Sequence, residues 1–179
     1  MEAPSGMNQY AIAAMGSDQP GIVAAVGEAL LALGGNIDDS SMTILGGHFA
    51  MLLVVNAPVD RDELQTSLEP VATQFDLLLE ARSAERHPFS DENRDDYVVA
   101  AYGPDKPGLV STLSRVLADA RANITDFGSR LGADQTFAMW FNVSLADGTD
   151  IDALGRELGD AGRSLQLDVR LYRAEADEL

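Results

Sequence analysis

The sequence contains no cysteine, which excludes disulfide bonds and thiolate metal sites. Basic residues are also scarce: 12 Lys and Arg stand against 29 Asp and Glu, giving a formal net charge of −17. A phosphate backbone binds proteins largely through cationic side chains, so this charge disfavours direct DNA or RNA binding. No apolar run approaches the length needed to span a bilayer. Neither a nucleic acid nor a membrane is therefore an expected partner.

The sequence also offers little of the chemistry that enzymes use. It contains two histidines, His48 and His87, which fall in a predicted turn and a predicted linker without an i, i+4 partner. No Gly-x-Ser-x-Gly elbow, Walker loop or dinucleotide fingerprint is present. The N-terminus lacks the basic and hydrophobic regions of a signal peptide. We therefore expect a cytoplasmic protein with no catalytic residue, metal ion or cofactor.

One segment occurs twice. Gly16-Ser17-Asp18-Gln19-Pro20-Gly21-Ile22 returns 87 positions later as Gly103-Pro104-Asp105-Lys106-Pro107-Gly108-Leu109. An apolar, strand-like run precedes each copy, and an Asn-Ile pair follows the last glycine by 15 residues in both. A Pro-Gly pair alone is a weak signal, but several features that hold their spacing twice indicate a tandem repeat.

The order of elements predicts the same fold for each half. In the first half, strands are expected at residues 10–15, 37–45, 49–56 and 75–80, with Gly46-Gly47-His48 as a hairpin turn. One helix is expected from Pro20 and another from Asp60, with Pro70 kinking or shortening the second.

The second half repeats this order, with strands at 98–102, 124–131 and 137–145. Helices follow from Leu109 and over 150–161, and the alternation from Leu165 to Leu171 predicts the last strand. The predicted fold class is α+β: two ferredoxin-like βαββαβ units in tandem, with antiparallel sheets and helices on one face. The expected boundaries are 8–84 and 95–173, joined by a linker at 85–94.

The repeated loop has the chemistry of a carboxylate site. Pro20 and Pro107 suit the first helical position, and Asp18 and Asp105 lie close enough to accept from free amides or to favour the helix dipole. Glycine in a first turn is costly unless another group must come close. Exposed amides at a helix N-terminus bind carboxylates, and an Asn side chain offers both donors and an acceptor. A tight turn kept for structural reasons remains an equally good interpretation of either loop alone.

These residues resemble the ACT domain family. The resemblance lies in the βαββαβ order, the Asp-x-Pro-Gly loop after the first strand and the Asn-Ile pair that opens the second, and it covers residues 8–84 and 95–173. Two such domains without a catalytic partner are similar to the glycine cleavage system transcriptional repressor group. The resemblance implies a regulatory protein that binds a small molecule, usually an amino acid, where two ACT domains meet. Because the sequence shows no output module, we expect the regulator to act on a protein partner, and the exposed sheet edges and faces of such small domains favour a homodimer.

Carried over to this sequence, the resemblance assigns ligand contacts to both loops and to both strand starts. In the first half these residues are Asp18, Gln19, Pro20, Gly21, Ile22, Asn36 and Ile37; in the second they are Asp105, Lys106, Pro107, Gly108, Leu109, Asn123 and Ile124. The basic residue usual in this loop is present as Lys106 but replaced by Gln19, so the two sites are not expected to be equal. The alternative interpretation is an ACT interaction or dimerisation module that binds no ligand.

Overall fold

The computed structural model describes residues 6–84, 94–133 and 136–174. They form two compact units, one on each side of residues 85–93, which we call the first and second domains. Most of the predicted linker therefore lies outside the described residues. Its last residue, Arg94, already belongs to a strand.

The first domain has the predicted βαββαβ order. Its elements are β1 (Asn8–Ser17), α1 (Ile22–Ala32), β2 (Asn36–Leu45), β3 (His48–Ala57), α2 (Arg61–Phe75) and β4 (Leu78–Ser83). The strands form one antiparallel sheet in the order β2-β3-β1-β4. The ferredoxin-like prediction is thus confirmed for this half, and β2 and β4 are the edge strands.

The second domain repeats the arrangement. Its elements are β5 (Arg94–Pro104), α3 (Leu109–Asp119), β6 (Asn123–Leu131), β7 (Thr136–Ala146), α4 (Ile151–Leu165) and β8 (Asp168–Arg173). The sheet order β6-β7-β5-β8 is antiparallel throughout and makes β6 and β8 the edges. Within the described residues of both domains, no helix is long and apolar enough to cross a membrane.

Each core lies between one sheet face and the two helices. Along β1, Tyr10, Ile12 and Ala14 are buried while Met15 is 52% exposed, the period of two expected when helices cover a single face. In the second domain Val99 and Ala101 alternate in the same way with an exposed Tyr102. Each sheet therefore has an open face, which carries exposed Met15, Leu52 and Leu78 in the first domain and Tyr102, Trp140 and Tyr172 in the second.

The helix α2 corrects two predictions. It begins after Asp60, whose side chain accepts from the amides of Asp62 and Glu63 as an N-cap does. It then continues through Pro70, which neither ends nor shortens it, and includes Phe75, predicted as strand. Pro70 is exposed and the helix is held by buried residues on its other face, so packing outweighs the lost backbone hydrogen bond.

The helix α4 is also longer than predicted. Leu165 is its last residue, and Gln166 adopts a left-handed φ of 63° that turns the chain towards β8. The Leu167 amide then donates to the Gly162 carbonyl at 2.8 Å. Leu165 and Leu167 had been expected in the strand because their spacing continues its alternation; they lie instead at the helix end and in the connection.

Candidate ligand-binding loops

The two strand-to-helix loops share one unusual backbone geometry. Gly21 and Gly108 are the N-caps of α1 and α3, and their φ angles of 99° and 94° lie in the left-handed region. The helices begin one residue later, at Ile22 and Leu109. The prolines thus lie before the N-cap, and the prediction that they occupy the first helical position is wrong. Each glycine is required by its φ angle, which other residues adopt at a cost.

The first turns of α1 and α3 lack a side-chain cap. Among the described residues, no side chain accepts from their free amides, and neither first turn carries an acidic residue. Asp18 and Asp105, expected near these amides, do not bond to them; the Asp18 amide instead donates to the Gly47 carbonyl at 3.0 Å. The amides consequently remain available to an anion from outside the chain.

The side chains of Ile22 and Leu109 cannot contact a ligand at these loops. They are 1% and 2% exposed and belong to the two hydrophobic cores. A ligand at these loops can therefore reach only the backbone groups of Ile22 and Leu109.

Gln19 and Lys106 occupy equivalent positions but make different interactions. The Gln19 carboxamide donates to the carbonyl oxygen of Phe75, the last residue of α2, at 3.2 Å. The Lys106 ammonium donates to the side-chain oxygen of Gln166, the C-cap of α4. Both loops are therefore tied to the end of the second helix of their own domain, but only the second carries a cation there.

A small groove lies next to the first loop, with a volume of about 380 Å³. Its polar side chains are Ser17, His48 and Asp76, the last with a left-handed φ of 51°. His48 was predicted in a turn, but it begins β3 and pairs with both Ser17 and Leu45. The sequence alone did not single out Asp76, because only the tertiary fold brings the end of α2 beside the first loop.

The predicted asparagines lie at the other end of each sheet. Asn36 pairs with Asn56, whereas Leu45, at the opposite end of β2, is the residue that lies level with Ser17 and the loop. Leu45 is nine positions after Asn36, a distance of about 30 Å along an extended strand. One domain therefore does not bring its own loop and its own Asn-Ile pair together, and the same holds for Asn123 and Ile124.

Each Asn-Ile pair is followed by a break in strand register that sequence analysis did not predict. The shift falls between Ile37 and Asp39 in β2 and between Ile124 and Asp126 in β6. In the first domain the Asn36 and Asn56 carboxamides both donate to the Asp38 carboxylate, the former at 3.2 Å.

In the second domain, the Asn142 carboxamide donates at 3.4 Å to the carboxylate of Asp126, the residue that pairs with it just after the break. A bulge in an edge strand redirects side chains and leaves backbone groups unpaired, so both strand starts offer exposed polar groups. Ile37 and Ile124, the other two predicted contacts, are 42% and 37% exposed.

Among the described residues, no group of three or more His, Asp or Glu side chains could hold a metal ion. The polar residues beside the loops are instead single carboxylates, carboxamides and one ammonium. Such groups suit hydrogen bonding to a small polar molecule.

Comparison with known proteins places both halves in one family. The ACT domain model matches residues 9–82 and 96–172. A UPF0237 protein of Methanopyrus kandleri is 40% identical over 73 residues, which cover 40% of this chain and 80% of that protein. The glycine cleavage system transcriptional repressor of Escherichia coli is 25% identical over 127 residues, which cover 70% of this chain and 66% of that protein.

Among solved structures, the crystal structure of an unknown protein from Galdieria sulphuraria matches with a TM-score of 0.82 and 25% sequence identity. That match covers 94% of this chain and 99% of the other. With the two βαββαβ sheets and the two family matches, it shows that this chain belongs to the ACT domain family and consists of two ACT domains in tandem.

Proposed function

We propose that this protein is a non-enzymatic regulator that binds an amino acid, or a similar small carboxylate, and transmits the binding to a protein partner. The observation that carries the proposal is the helix N-terminus behind a left-handed glycine, uncapped by any described side chain and present in both ACT domains. Its relative in Escherichia coli, a transcriptional repressor of the glycine cleavage system, supports a role in controlling amino-acid metabolism.

The ligand's carboxylate is assigned to the loop. Three first-turn amides and the positive end of the helix dipole converge there, the arrangement that binds anions at helix N-termini. In the second domain Lys106 adds a cation to the same loop, and its flexible side chain can exchange Gln166 for a ligand carboxylate.

The ligand's ammonium needs acceptors, and two sources are available. In the first domain, the Asp76 carboxylate lies in the groove that borders the loop. Asn36 and Asn123 offer amide oxygens, but each lies about 30 Å from the loop of its own domain, from strand geometry. A ligand that touches a loop and an asparagine together therefore takes them from two different ACT domains.

The two loops are proposed to differ in preference. The first is surrounded by Gln19, His48 and Asp76, which suit a zwitterion because a carboxylate is available for its ammonium. The second has Lys106 and Gln166 in the corresponding positions, which suit a ligand with excess negative charge. The two domains would then differ in their affinity for the same ligand.

The output is proposed to pass through a protein rather than through DNA. The net charge of −17 opposes contact with a phosphate backbone. A partner protein in the cytoplasm would sense a ligand-induced change at the ACT surfaces.

Calorimetry with a panel of amino acids tests this proposal. We expect binding by the full chain that weakens when Asn36 or Asn123 is replaced by Ala. Gln74→Ala, on the exposed side of α2, serves as the control and should bind as the parent does. Folded protein that binds no member of the panel would refute ligand sensing.

The alternative is an ACT interaction module that no longer binds a ligand. The observation in its favour is the apolar character of both open sheet faces, where Leu52, Leu78 and Trp140 are exposed. The left-handed φ angles also provide a purely structural reason for Gly21 and Gly108. A crystal soaked in amino acid that shows no density at the starts of α1 and α3 would favour this alternative.

A further inference from the structure

The edge strands β4 and β8 differ in whether side chains bond to their outward backbone groups. In the first domain, the Gln65 carboxamide covers the edge strand β4: its nitrogen donates to the Leu79 carbonyl at 3.1 Å, and its oxygen accepts from the Ala81 amide at 2.9 Å. The Arg61 side chain donates to the Ala81 carbonyl at 3.1 Å. These two side chains occupy the hydrogen-bonding groups that a neighbouring strand would use.

The second domain lacks both covering side chains. Its α4 aligns with α2 at an offset of 90 residues, since the N-cap Asp60 corresponds to Asp150 and the C-cap Asp76 to Gln166. Gln65 therefore corresponds to Gly155, and Arg61 to Ile151. Glycine has no side chain and isoleucine has no donor, so neither can reproduce the cover.

The backbone of β8 points its free groups outward at this edge. The Ala174 amide donates to the Asp96 carbonyl of β5 at 2.9 Å, so by the alternation of an antiparallel ladder Val169 and Leu171 direct their N–H and C=O groups away from β5. Among the described residues, no side chain bonds to the Leu171 amide or to the Val169 carbonyl. The edge of β8 is consequently open where that of β4 is closed.

A groove of about 630 Å³ runs along the open edge, between α4 and β8. Gly155 and Gly159 lie in its helical wall together with Ile151 and the charged residues Asp152, Arg156, Asp160 and Arg163. Half-buried Val169 and Leu171 form its strand wall. A Cβ atom at Gly155 would meet no other atom within 4 Å. The groove can therefore accept the inward-facing side chains of an added strand.

Charge at this surface favours a second copy of the chain. The chain as a whole carries −17, which makes two copies repel over most of their surfaces. Together α4 and β8 are neutral, because Asp152, Glu157, Asp160 and Asp168 are matched in number by Arg156, Arg163, Arg170 and Arg173. In contrast, α2 and β4 carry four acidic and two basic residues.

We propose that β8 pairs antiparallel with β8 of a second copy, so that the two sheets join into one across a two-fold axis at Leu171. In this register the two Leu171 residues exchange both of their backbone hydrogen bonds. Arg170 of each copy lies opposite Tyr172 of the other on the open face. Its guanidinium bonds at 2.9 Å to Asp168 of its own strand, and in the dimer it can also attract the Tyr172 ring of the other copy. The proposal assigns a surface to the expected homodimer and does not depend on ligand binding.

The added contact is small, since β8 has six residues. Interfaces of this size lie at the weak end of the range, so we expect a dimer that dissociates at low protein concentration. Sedimentation velocity of the full chain over a concentration series should show reversible dimerisation.

Introducing the covering residues of the first domain, Arg61 and Gln65, at the equivalent positions of the second tests the edge of β8 directly. The double variant Ile151→Arg/Gly155→Gln should raise the dimer dissociation constant at least about tenfold, because it occupies the groups that the second copy uses. Gly27→Ala is the control: it also replaces a helical glycine at which an added Cβ meets no atom within 4 Å, but it lies in α1, does not line the groove, and should dimerise as the parent does. A monomeric parent, or a double variant that dimerises unchanged, would overturn the proposal.

Cross-linking tests the register, because the chain has no cysteine of its own. In Arg170→Cys/Tyr172→Cys, cysteines of two copies face each other in non-hydrogen-bonded pairs, with Cα atoms about 4.5 Å apart, within disulfide range. Mild oxidation should produce a covalent dimer. The same change at the equivalent positions of β4, Glu80→Cys/Arg82→Cys, should leave monomers. Equal cross-linking of the two variants, or none at β8, would contradict β8 pairing.

Discussion

Gly103 and Gln166 are packed so closely that no side chain fits between them. A Cβ atom at Gly103 would lie 2.6 Å from the Gln166 carbonyl oxygen and 2.7 Å from Leu167 Cδ2. In the first domain, a Cβ atom at Gly16 would lie 2.6 Å from Leu77 Cδ2 and 3.0 Å from the Asp76 carbonyl oxygen. The first glycine of the repeated segment therefore allows the end of the first strand to touch the connection that follows the second helix.

We expect Gly103→Ala to destabilise the second domain by about 1–3 kcal/mol, the usual cost of overpacking. The obstructing atom is a backbone oxygen, which cannot move without displacing the end of α4. The single tryptophan, Trp140, lies in this domain, so the urea midpoint followed by its fluorescence reports the effect. Gly155→Ala, which meets open space within a helix, should instead stabilise by about 0.5–1 kcal/mol. Equal midpoints for the two variants would contradict the packing argument.

The repeat made most of the fold predictable. Matching Pro-Gly and Asn-Ile spacings identified two units, and period-two and helical patterns placed their twelve elements in the observed order. The role of each glycine was less accessible. Gly16 and Gly103 are required by tertiary contact and Gly21 and Gly108 by a backbone angle, and neither cause is visible in a linear pattern.

A second prediction concerns that backbone angle. Gly108→Ala should cost about 1–2 kcal/mol, because the position has a φ of 94°. Gly108→Asn should cost less, since asparagine tolerates left-handed conformations better than other side chains do. Space is not the cause here, because the nearest atom to an added Cβ is Ser111 Oγ at 3.9 Å. Urea unfolding followed by Trp140 fluorescence gives the order of stability of the parent and the two variants. If Gly108→Ala were as stable as the parent, the loop would be able to relax without cost.

The third prediction separates the two loops. If Lys106 binds a ligand carboxylate, Lys106→Gln should weaken that site about tenfold or more, since a hydrogen bond to a charged group contributes about 1.5–3 kcal/mol. Gln19→Lys should strengthen the first site for anionic ligands by adding the missing cation. Calorimetry at low and high salt measures both, with salt weakening the lysine-bearing sites more. Unchanged affinity in both variants would show that neither Gln19 nor Lys106 contacts the ligand.

The fourth prediction concerns the Gln65 cover. Gln65→Ala should destabilise the first domain by about 1–2 kcal/mol, because two backbone groups lose their hydrogen bonds. The most specific measurement is amide hydrogen exchange at Ala81, whose N–H donates to Gln65. Its protection should fall while that of residues inside the sheet changes little. Gln74→Ala, on an exposed part of the same helix, should leave Ala81 protected, and similar exchange in both variants would contradict the cover.

The features that carry the two proposals were the hardest to predict. Gln65 looks like any exposed helical glutamine in the sequence, and its role appears only when α2 lies along β4. The register breaks after Ile37 and Ile124 have no glycine or proline to mark them. Each site was expected to combine a loop and an asparagine where two ACT domains meet; within the first domain, β1 and β2 run parallel, which places Asn36 at the opposite end of the sheet from the first loop. In each case the feature depends on how residues that are distant in the sequence are placed in the fold.

The last prediction concerns Gly128 and Trp140, which lie opposite each other in β6 and β7. The indole ring covers Gly128, and an added Cβ atom would lie 2.0 Å from its Cζ2 atom. Gly128→Ala should therefore push the ring off the sheet into solvent. Trp140 is already 40% exposed and can rotate, so the cost should stay near 1 kcal/mol, at the lower end for overpacking.

The emission of Trp140 should shift to longer wavelength, and its indole ring should become more accessible to the quencher acrylamide. Ser129→Ala, on the neighbouring residue, should leave the emission unchanged, and an unshifted spectrum for Gly128→Ala would show that the ring does not rest on this glycine.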